Sequence, residues 1–451
     1  MTPPHKLIII VINFYHTYIY CYLNPLSGYF AIIWHNHQYQ NRLQRAGCKK
    51  SPDLLQTKES TTIRQDLSGN FFTMKICIIG PTHPFRGGIS HYTTLLFRCL
   101  KKNHPTTFIA FKRQYPQWLY PGETDHDLSE KPIQEKDVDH LLDSLNPLSW
   151  LRVARKVQSL DVDLVIIPWW TAFWTIPFFS MNWLIKRRSP AKILFICHNV
   201  KEHESSIINQ ICTRIVLRMG DLHIVHSKED YQNLRQMLPG STIIQGFHPS
   251  YETLQENRLT REKARKELDV DGKVLLFFGF IRPYKGLSYL LDSMPAIIKQ
   301  LGSNVQLMIV GECWKDEQQY SKKIQTLELE KHILRVNKYV PNEEISLYFS
   351  AADLVVIPYS TATGSGILQI AFGCEKPVVA TRVGALADDV IDGKTGFLVQ
   401  PNNPGELAGA VVKFFNEDKG KIFSKNIQET KDQFSWDRMG DLIVDGAKNI
   451  Q

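Results

Sequence analysis

The amino-acid sequence predicts an α/β protein in which two parallel-sheet domains face each other across a cleft. From Met74 onward, short apolar runs alternate with stretches of helical spacing, which is typical of parallel strands joined by covering helices. After a polar, charged segment between Asn257 and Asp271 the same alternation begins again, so two such domains are predicted. Ligands of open parallel sheets bind beyond the carboxyl ends of the strands, and we therefore expect one site shared by both domains in the cleft.

The elements of each domain are predicted from strand-length apolar runs and from apolar residues at helical spacing. In the first domain, set at residues 74–256, strands are predicted at 75–80, 107–111, 164–168, 193–198, 222–226 and 242–245, with a helix at 89–102. In the second domain, set at residues 257–433, strands are predicted at 274–278, 305–310, 334–336, 354–358 and 377–381. Its helices are predicted at 288–300, 320–329, 343–349, 367–372, 385–390 and 404–416.

Residues 1–73 differ from the rest of the chain. Their apolar patches are interrupted by Asn13, His16, Asn24 and Pro25, so no apolar span is long enough for a transmembrane helix. The patches also lack the clean apolar core of a signal peptide. We expect a disordered or spurious leader, with Met74 as the natural start, in preference to a membrane anchor.

Composition excludes several classes of protein. The chain of 451 residues has a net charge of +8, and residues 1–73 carry seven basic and three acidic residues, which is half of that excess. The remaining charge is modest, so nucleic acid is not expected as a partner. The eight cysteines show no paired spacing, and neither a zinc site nor a disulfide framework is predicted.

The stretch from Asp353 to Gly384 reads as strand, glycine-containing loop, helix and strand. In such a unit the amino end of the helix directs free N–H groups at the ligand site, and a phosphate suits that geometry best. An ordinary strand-to-helix turn is the alternative.

Two further loops follow first strands. In the loop at 278–286, Arg282 and Lys285 are three residues apart and can converge on one anion, neutralising a diphosphate leaving group as a bound cation would. Gly87 and Gly88 lie in a loop at 81–90 that opens a helix, where glycines let a ligand approach the backbone. That loop lacks the GxGxxG spacing of dinucleotide folds. A plain turn and a solvated cation pair are the alternatives.

Two remaining features allow more than one interpretation. His198 falls at the end of a predicted strand, where we expect it to contact substrate rather than to be only a buried, hydrogen-bonded histidine. Residues 169–185 are apolar and aromatic and precede the basic residues 186–188. A buried helix is the simpler interpretation of 169–188, and peripheral contact with a bilayer is the alternative hypothesis.

With these residues in view, positions 74–451 resemble the group 1 (GT4) retaining glycosyltransferases, which have the GT-B fold of two facing Rossmann-like domains with an interdomain cleft. The segments that carry the resemblance are MKICIIGPTHPFRGGISHYT, HNVKEHE, FFGFIRPYKG, AADLVVIPY, GILQIAFGCEKPVVATRVGALADDVIDGKTGFLV and FSWDRMGDLI. Each is weak alone, and together they are specific because they occur in this order and spacing.

The resemblance implies roles for individual residues. Arg282 and Lys285 would hold the nucleotide diphosphate, and His198 would contact the transferred sugar near the reacting carbon. Gly87 and Gly88 would line the diphosphate side of the cleft. The loop ending at Ser365 would present the amides of Gly366, Ile367 and Leu368 to the distal phosphate. The FSWDR segment would begin a terminal helix, within 434–451, that crosses back to the first domain.

The sequence departs from the family at two positions. The family typically has two glutamates eight positions apart, the first on the donor sugar and the second on the ribose, and here neither is acidic. The counterparts are Thr361 and Gln369, or Ala362 and Ile370 if the count shifts by one. A glutamine can still hydrogen-bond a ribose hydroxyl. A threonine cannot replace a carboxylate on sugar hydroxyls, so the identity of the donor sugar stays open.

The resemblance therefore implies a glycosyltransferase that uses a nucleotide-diphosphate sugar as co-substrate, with no metal or other cofactor. The acceptor would be a glycan or a lipid-linked molecule in cell-surface polysaccharide or glycolipid synthesis. The protein would be cytoplasmic or peripheral at the inner face of the membrane. The alternatives are a catalytically silent GT-B protein that binds sugar nucleotides or acts as a scaffold, and a sugar-nucleotide epimerase of the same two-domain form.

Overall fold

The computed structural model describes residues 9–14, 17–22, 73–116, 120, 124–201, 206–251, 259–314 and 316–450. The chain divides into two compact units, Met1–Phe72 and Thr73–Gln451. In the first unit, strands β1 (Ile9–Phe14) and β2 (Thr17–Tyr22) pair antiparallel. The other residues of the predicted leader lie outside the described residues, so the prediction for 1–73 stays a prediction.

The second unit begins with a seven-stranded parallel sheet, here called the first sheet. Its strands are β3 (Ile76–Gly80), β4 (Thr106–Arg113), β5 (Val138–Asp143), β6 (Leu164–Trp169), β7 (Lys192–Cys197), β8 (Leu222–Val225) and β9 (Ile243–Gln245). They lie in the order β5-β4-β3-β6-β7-β8-β9. The strands β3, β6 and β8 are buried along their whole length because helices cover both faces of a parallel sheet.

Helices connect the strands of the first sheet. They are α1 (Gly88–Lys101), α2 (Pro147–Leu160), α3 (Thr175–Arg188), α4 (Ile207–Leu217) and α5 (Lys228–Met237). All but α3 are clearly amphipathic. Their starts follow local sequence chemistry. Helix α2 has Pro147 in its first turn, and the side chain of Asn146 accepts a hydrogen bond from the Leu148 amide.

The second sheet has six parallel strands. They are β10 (Lys273–Phe278), β11 (Val305–Val310), β12 (Ile333–Val336), β13 (Leu354–Ile357), β14 (Val378–Thr381) and β15 (Gly396–Val399). Their order is β12-β11-β10-β13-β14-β15. The helices are α6 (Arg261–Leu268), α7 (Leu287–Leu301), α8 (Glu317–Thr326), α9 (Asn342–Ala351), α10 (Gly366–Gly373), α11 (Gly384–Asp389), α12 (Pro404–Asn416) and α13 (Gly420–Thr430).

The last helix, α14 (Trp436–Lys448), packs on the first sheet although it follows the second in the chain. Met439, Ile443 and Ala447 belong to the same buried cluster as the β3 residues Ile76 and Ile78. The link is also polar, because the Trp436 indole N–H donates to the carbonyl oxygen of Ser250 at 2.9 Å. Helix α14 therefore adds part of the core on one face of the first sheet.

The predicted fold class is confirmed, since two parallel sheets of the predicted kind are present with helices between their strands. Each predicted strand corresponds to an observed one, displaced at its ends by at most one or two residues. Within the second unit, the sequence analysis missed β5, β15, α2, α4, α5 and α13. The strand β5 was missed because its burial is partial and half of its sequence, VDHLLD, is polar.

The strand order places the ligand site. In the first sheet the order reverses between β3 and β6, and in the second between β10 and β13. Loops that leave adjacent strands at such a point diverge and open a crevice at the carboxyl edge of the sheet. Three of the four loops at these positions are those for which a ligand role was predicted, after β3, β10 and β13.

Candidate active site

A cavity of about 260 Å³ lies between the carboxyl edges of the two sheets. We call it the cleft cavity. From the first-sheet side it is lined by Gly87, Gly88, His91 and Tyr251. From the second-sheet side it is lined by the loop after β10, by the loops after β11 and β12, and by the loop and first turns of α10 that follow β13. Residues far apart in the sequence are thus brought to one site.

Lys285 lines the cleft cavity from the loop after β10, where residues Pro283–Lys285 form a single 3-10 turn. Its side chain is buried, and the Nζ atom lies 5.5 Å from the centroid of the Tyr359 ring. Burial, with the nearby charge of Arg282, lowers the pKa of Lys285 to about 8. Little water is available to solvate this ammonium group, so an anion in the cavity would interact with it strongly.

Arg282 lies in the same loop but is not among the residues that line the cavity. Its guanidinium carbon is 5.2 Å from the centroid of the Trp314 ring. Its positive charge is close enough to contribute to the lowered pKa of Lys285. The loop therefore carries two cations, one lining the cavity and one against the aromatic ring of Trp314.

The loop after β13 ends at Ser365, and helix α10 begins at the cavity with Gly366. The Ser365 Oγ accepts a hydrogen bond from the Leu368 amide at 3.2 Å, so the serine caps the helix itself. Of the three amides predicted to bind phosphate, that of Leu368 is therefore already engaged. The amides of Gly366 and Ile367 lie in the first turn, where a helix has no internal carbonyl to offer them.

Gly87 and Gly88 line the opposite wall of the cavity, at the start of α1. Gly87 has a φ of 111°, which an L-residue rarely adopts, and space is open around the position of a Cβ atom. The Tyr251 hydroxyl donates to the carbonyl oxygen of Gly88 at 3.2 Å. The backbone on this wall is thus exposed to the cavity and held by a buried tyrosine.

His198 does not line the cleft cavity but lies just behind it, in a cluster of buried aromatic rings that includes His226 and His248. Its ring centroid is 4.6 Å from that of Tyr92 and 5.2 Å from that of His226. Burial, with the neighbouring His226 and His248, holds the pKa of His198 well below its usual value, so the imidazole is neutral. Its Nε2 atom has no hydrogen-bond partner within the described part of the chain.

The histidine cluster meets the cavity at Gly364. A Cβ atom on Gly364 would lie 3.8 Å from His248 Cδ2 and 4.0 Å from His226 Cβ. A second contact joins the two sides, because the Thr363 Oγ1 donates to Asn199 Oδ1 at 2.5 Å. The residue after His198 is thus tied to the loop that precedes α10.

Comparison with known proteins identifies this arrangement. Residues 260–431 match the family described as Glycosyl transferases group 1, and this segment contains Lys285, Arg282 and the start of α10. This match, with the relatives below, supports a group 1 glycosyltransferase.

Two curated relatives illustrate the range of similarity. Over 303 residues this glycosyltransferase is 26% identical to D-inositol 3-phosphate glycosyltransferase of Corynebacterium glutamicum, and the alignment covers 62% of this chain and 70% of the relative. Over 165 residues it is 31% identical to an uncharacterised glycosyltransferase of Methanocaldococcus jannaschii, and the alignment covers 36% of this chain and 44% of the relative.

Solved structures share the fold. Anabaena HepE, in complex with UDP-glucose, matches with a TM-score of 0.63 and 21% identity over 83% of this chain and 100% of that one. Sucrose-phosphate synthase from Thermosynechococcus elongatus matches with a TM-score of 0.62 and 17% identity over 83% of this chain and 99% of that one. At these identities the likeness establishes the two-domain GT-B architecture of the glycosyltransferase.

Gln369 and Ile370, the two candidate counterparts of the family's second glutamate, lie in different surroundings. Gln369 is fully buried, and its Nε2 donates to Asp389 Oδ2 at 3.0 Å, outside the cavity lining. Ile370, one residue on, lines the cavity. At the first position, Thr361 is exposed and Ala362 is buried, and neither lines the cavity. In this glycosyltransferase an apolar side chain therefore occupies the cavity wall where the first count placed a glutamine.

Gln369 and Asp389 form a buried polar pair of their own. Burial raises the pKa of Asp389 to about 8, with a further contribution from Asp388, while the hydrogen bond from Gln369 acts in the opposite sense. At neutral pH this carboxyl group is mostly protonated. The pair therefore holds α10 to α11 and places little negative charge between these helices.

Several residues of the site were missed in the sequence analysis. His226 follows β8 directly, as His198 follows β7, and His248 lies shortly after β9. These strands are neighbours in the sheet, so polar residues after each of them meet at one edge. That repeated strand-end histidine was a usable signal. Tyr251, in contrast, lies in a loop with no pattern around it.

The aromatic segment 169–188 is mostly core. Trp174 and Phe178 are fully buried and pack with Trp169 in the core that covers one face of the first sheet. The hypothesis of bilayer contact through these two rings is therefore wrong, because both rings are packed in the core with residues of β6 and β7. No helix in the described ranges is long and apolar enough to cross a membrane. Nor do those ranges hold three or more metal-ligating side chains arranged around one ion.

Proposed function

We propose that this protein is a retaining, metal-independent glycosyltransferase that moves a sugar from a nucleotide-diphosphate donor to a glycan or lipid-linked acceptor. The synthesis of cell-surface polysaccharide or glycolipid is the setting we infer. One observation supports the proposal above all others. The buried Lys285 ammonium group and the first-turn amides of α10 line the same cavity, at the switch point of the second sheet.

A diphosphate suits this cavity for electrostatic reasons. The amides of Gly366 and Ile367 carry the positive end of the helix dipole, and Lys285 adds a full charge in a dry environment. Arg282, in the same loop as Lys285, adds positive charge near the site even though its side chain is outside the cavity lining. The donor that these groups fit is a nucleotide-diphosphate sugar, which is the ligand class seen in Anabaena HepE.

The chemistry we propose uses these groups to stabilise a leaving group. The bond between the anomeric carbon and the donor diphosphate oxygen breaks, and an acceptor oxygen attacks the same face of the sugar. The acceptor proton passes to the departing diphosphate oxygen, so no catalytic carboxylate pair is needed, in contrast to glycoside hydrolysis. Lys285 and the α10 amides stabilise the charge that develops on the diphosphate.

The carboxylate in the cavity wall fits this scheme. Glu312 is the acidic residue among the described lining residues, and its Oε2 lies 2.8 Å from a guanidinium nitrogen of Arg86. A carboxylate held in this way is not positioned as a free base. With the positive charge of Lys285 and Arg282 available to the diphosphate, we propose that the reaction requires no metal ion.

A catalytically silent protein that binds sugar nucleotides is the second candidate. The observation that favours it is the cavity wall at Ile370, where an apolar side chain lies instead of a group able to bind a hydroxyl. A silent protein would bind the donor without releasing free nucleotide diphosphate. Turnover therefore separates the two candidates, whereas binding alone does not.

The decisive experiment measures release of nucleotide diphosphate and extension of an acceptor for a panel of sugar nucleotides. Arg282→Ala should lower kcat/KM by about a hundredfold, the effect of removing one electrostatic stabiliser of a developing charge. The matched control is Arg382→Ala, because Arg382 is a partly exposed arginine of the same domain paired with Asp392 at 3.0 Å. Equal rates for the two variants would contradict the role given to Arg282. Donor binding without turnover in the unaltered protein would favour the silent candidate.

A further inference from the structure

The outward face of helix α4 is apolar. It carries Ile207, Ile208, Ile211 and Ile215, with exposed fractions of 78%, 38%, 53% and 44%. We call these four residues the isoleucine face. They are among the most exposed large apolar side chains of the described residues, and they are concentrated on one helix of 11 residues.

The geometry of α4 makes this face continuous. At 100° per residue, positions 207, 208, 211 and 215 fall within one arc of the helix, together with the exposed Arg214 and the following Arg218. The opposite side carries the buried residues Cys212, Val216 and Leu217, which pack toward the first sheet. A helix on a water-facing surface ordinarily turns polar residues outward, so an apolar outward face indicates that something covers it.

Basic residues outnumber acidic ones around this face, where Lys186 is paired with Asp221 at 2.9 Å and the sequence places Glu202 and Glu204 shortly before α4. Helices α3 and α4 contact each other and contain no acidic residue. They carry four basic residues, Lys186, Arg187, Arg188 and Arg214, and Arg218 follows at the end of α4. Arg187 stacks on the exposed Trp183, with its guanidinium carbon 3.9 Å from the ring centroid. Exposed isoleucine and tryptophan beside a surplus of arginine side chains suit a bilayer with anionic head groups.

The position of α4 relates the face to the cleft. Strand β7 ends at Cys197 on the carboxyl edge of the first sheet, and α4 begins after the loop that contains His198. The amino end of α4, with Ile207 and Ile208, therefore lies on the same side of the sheet as the cleft cavity. A bilayer seated on the isoleucine face would lie beside the first-sheet wall of the site.

We propose that the isoleucine face of α4 docks this protein on the surface of an anionic bilayer. Isoleucine side chains would enter the boundary between head groups and acyl chains, while Arg214, Arg218 and the basic end of α3 contact the head groups. This inference does not depend on transferase activity. It moves the membrane contact from the buried aromatic residues of 169–188 to an exposed face nearby.

Sedimentation of the full chain with lipid vesicles tests the proposal. The vesicles contain phosphatidylcholine alone or phosphatidylcholine with phosphatidylglycerol. The unaltered protein should pellet with the anionic vesicles and remain in the supernatant with the neutral ones. The variant Ile211→Ser/Ile215→Ser should lower the partition coefficient about tenfold, because two apolar groups no longer enter the interface. The variant Arg214→Glu/Arg218→Glu should weaken binding at low salt and lose most of its difference from the unaltered protein at high salt.

The matched control is Ile422→Ser, which changes an isoleucine that is 55% exposed on α13 of the second domain. Thermal melts confirm that each variant is folded, as expected for surface positions. Three outcomes would overturn the proposal: no sedimentation of the unaltered protein, equal recovery with neutral and anionic vesicles, or full binding by the double isoleucine variant. Light scattering tests the other occupant. A stable dimer that the Ile211→Ser/Ile215→Ser change dissociates would show that a second copy of the chain covers the face.

Discussion

Lys285 is a charged residue in a place that disfavours charge. Its pKa is lowered to about 8, chiefly by burial and then by Arg282. In the ligand-free protein it is protonated below about pH 8 and loses its proton above that value. A bound diphosphate would favour the protonated form and raise the pKa again, so ligand affinity is linked to pH through this one residue.

We therefore expect the Kd for UDP or ADP to be flat below about pH 8 and to rise by up to about tenfold per pH unit above it. Isothermal titration calorimetry from neutral to alkaline pH measures this directly. Lys285→Arg should keep binding and remove the pH dependence, because the arginine pKa is above about 12. Lys285→Met should bind weakly at every pH. A slope in the arginine variant equal to that of the unaltered protein would assign the titration to another group.

Residue-level predictions from sequence succeeded where the chemistry is local and failed where orientation decides. Lys285 and the amides of Gly366 and Ile367 lie at the cavity as expected, because a glycine-containing loop between strand and helix presents its backbone whatever the neighbours are. Arg282 lies outside the cavity lining, and the Leu368 amide is bonded to Ser365. The choice between Gln369 and Ile370 could not. Those two side chains point about 100° apart on α10, and only packing against α11 decides which of them meets the cavity.

At the scale of elements, α14 has the most unusual role, because it completes the core of a sheet to which it is not adjacent in sequence. Ile443 is fully buried there among residues of the first sheet. A short terminal helix is held mainly by its apolar face rather than by helix propensity. Its contribution should therefore appear as stability of the first domain.

We expect Ile443→Ala to destabilise the protein by about 2–5 kcal/mol, the usual cost of emptying a buried isoleucine site. Ile422→Ala is the control, since Ile422 is 55% exposed on α13 and its loss should change stability by about 0.5 kcal/mol or less. Differential scanning calorimetry compares the two melting temperatures. If both variants had the melting temperature of the unaltered protein, the packing of α14 on the first sheet would not contribute to stability.

The elements could be predicted where periodicity is clean. The strands β3, β6 and β10, buried except for Lys273, and the amphipathic helices α1 and α7 have clear sequence patterns. The strand β5 was not predicted because apolar and polar residues alternate only weakly in VDHLLD. Helix α2 was not predicted either, although Asn146 and Pro147 mark its start. The exposed face of α4 could not be predicted either. Its sequence is apolar on two sides, and only the packing shows which side faces outward.

At the scale of the whole molecule, repetition in the sequence predicted two facing sheets and a shared cleft, but not how the walls are joined. The walls are held by contacts between loops that no local pattern marks. The backbone N–H of Asn342 donates to Ser129 Oγ at 3.0 Å, and the backbone N–H of Glu130 donates to a carboxylate oxygen of Glu343 at 2.9 Å. Such pairings depend on the relative position of the two sheets, which the sequence pattern leaves undetermined.

The ion pair of Arg86 and Glu312 is another contact between the walls. Their side chains are 3% and 15% exposed, and Arg86 also lies 4.7 Å from the centroid of the Tyr339 ring. Arg86 follows β3 of the first sheet, and Glu312, which lines the cavity, follows β11 of the second, so the pair joins the two walls beside the cavity. A buried pair of this kind is costly to break, because the remaining charge has no partner and little water.

Arg86→Met should destabilise the closed arrangement by about 3–5 kcal/mol, because it leaves the Glu312 carboxylate buried and unpaired. Hydrogen–deuterium exchange should then increase at the facing loops 124–130 and 339–345, and the Kd for UDP or ADP should rise. The double variant Arg86→Met/Glu312→Leu removes both charges and should recover most of the lost stability, since no unpaired charge remains. If the two single changes simply added in the double variant, the side chains would not be coupled, and closure of the cleft would rest on the contacts around Asn342 instead.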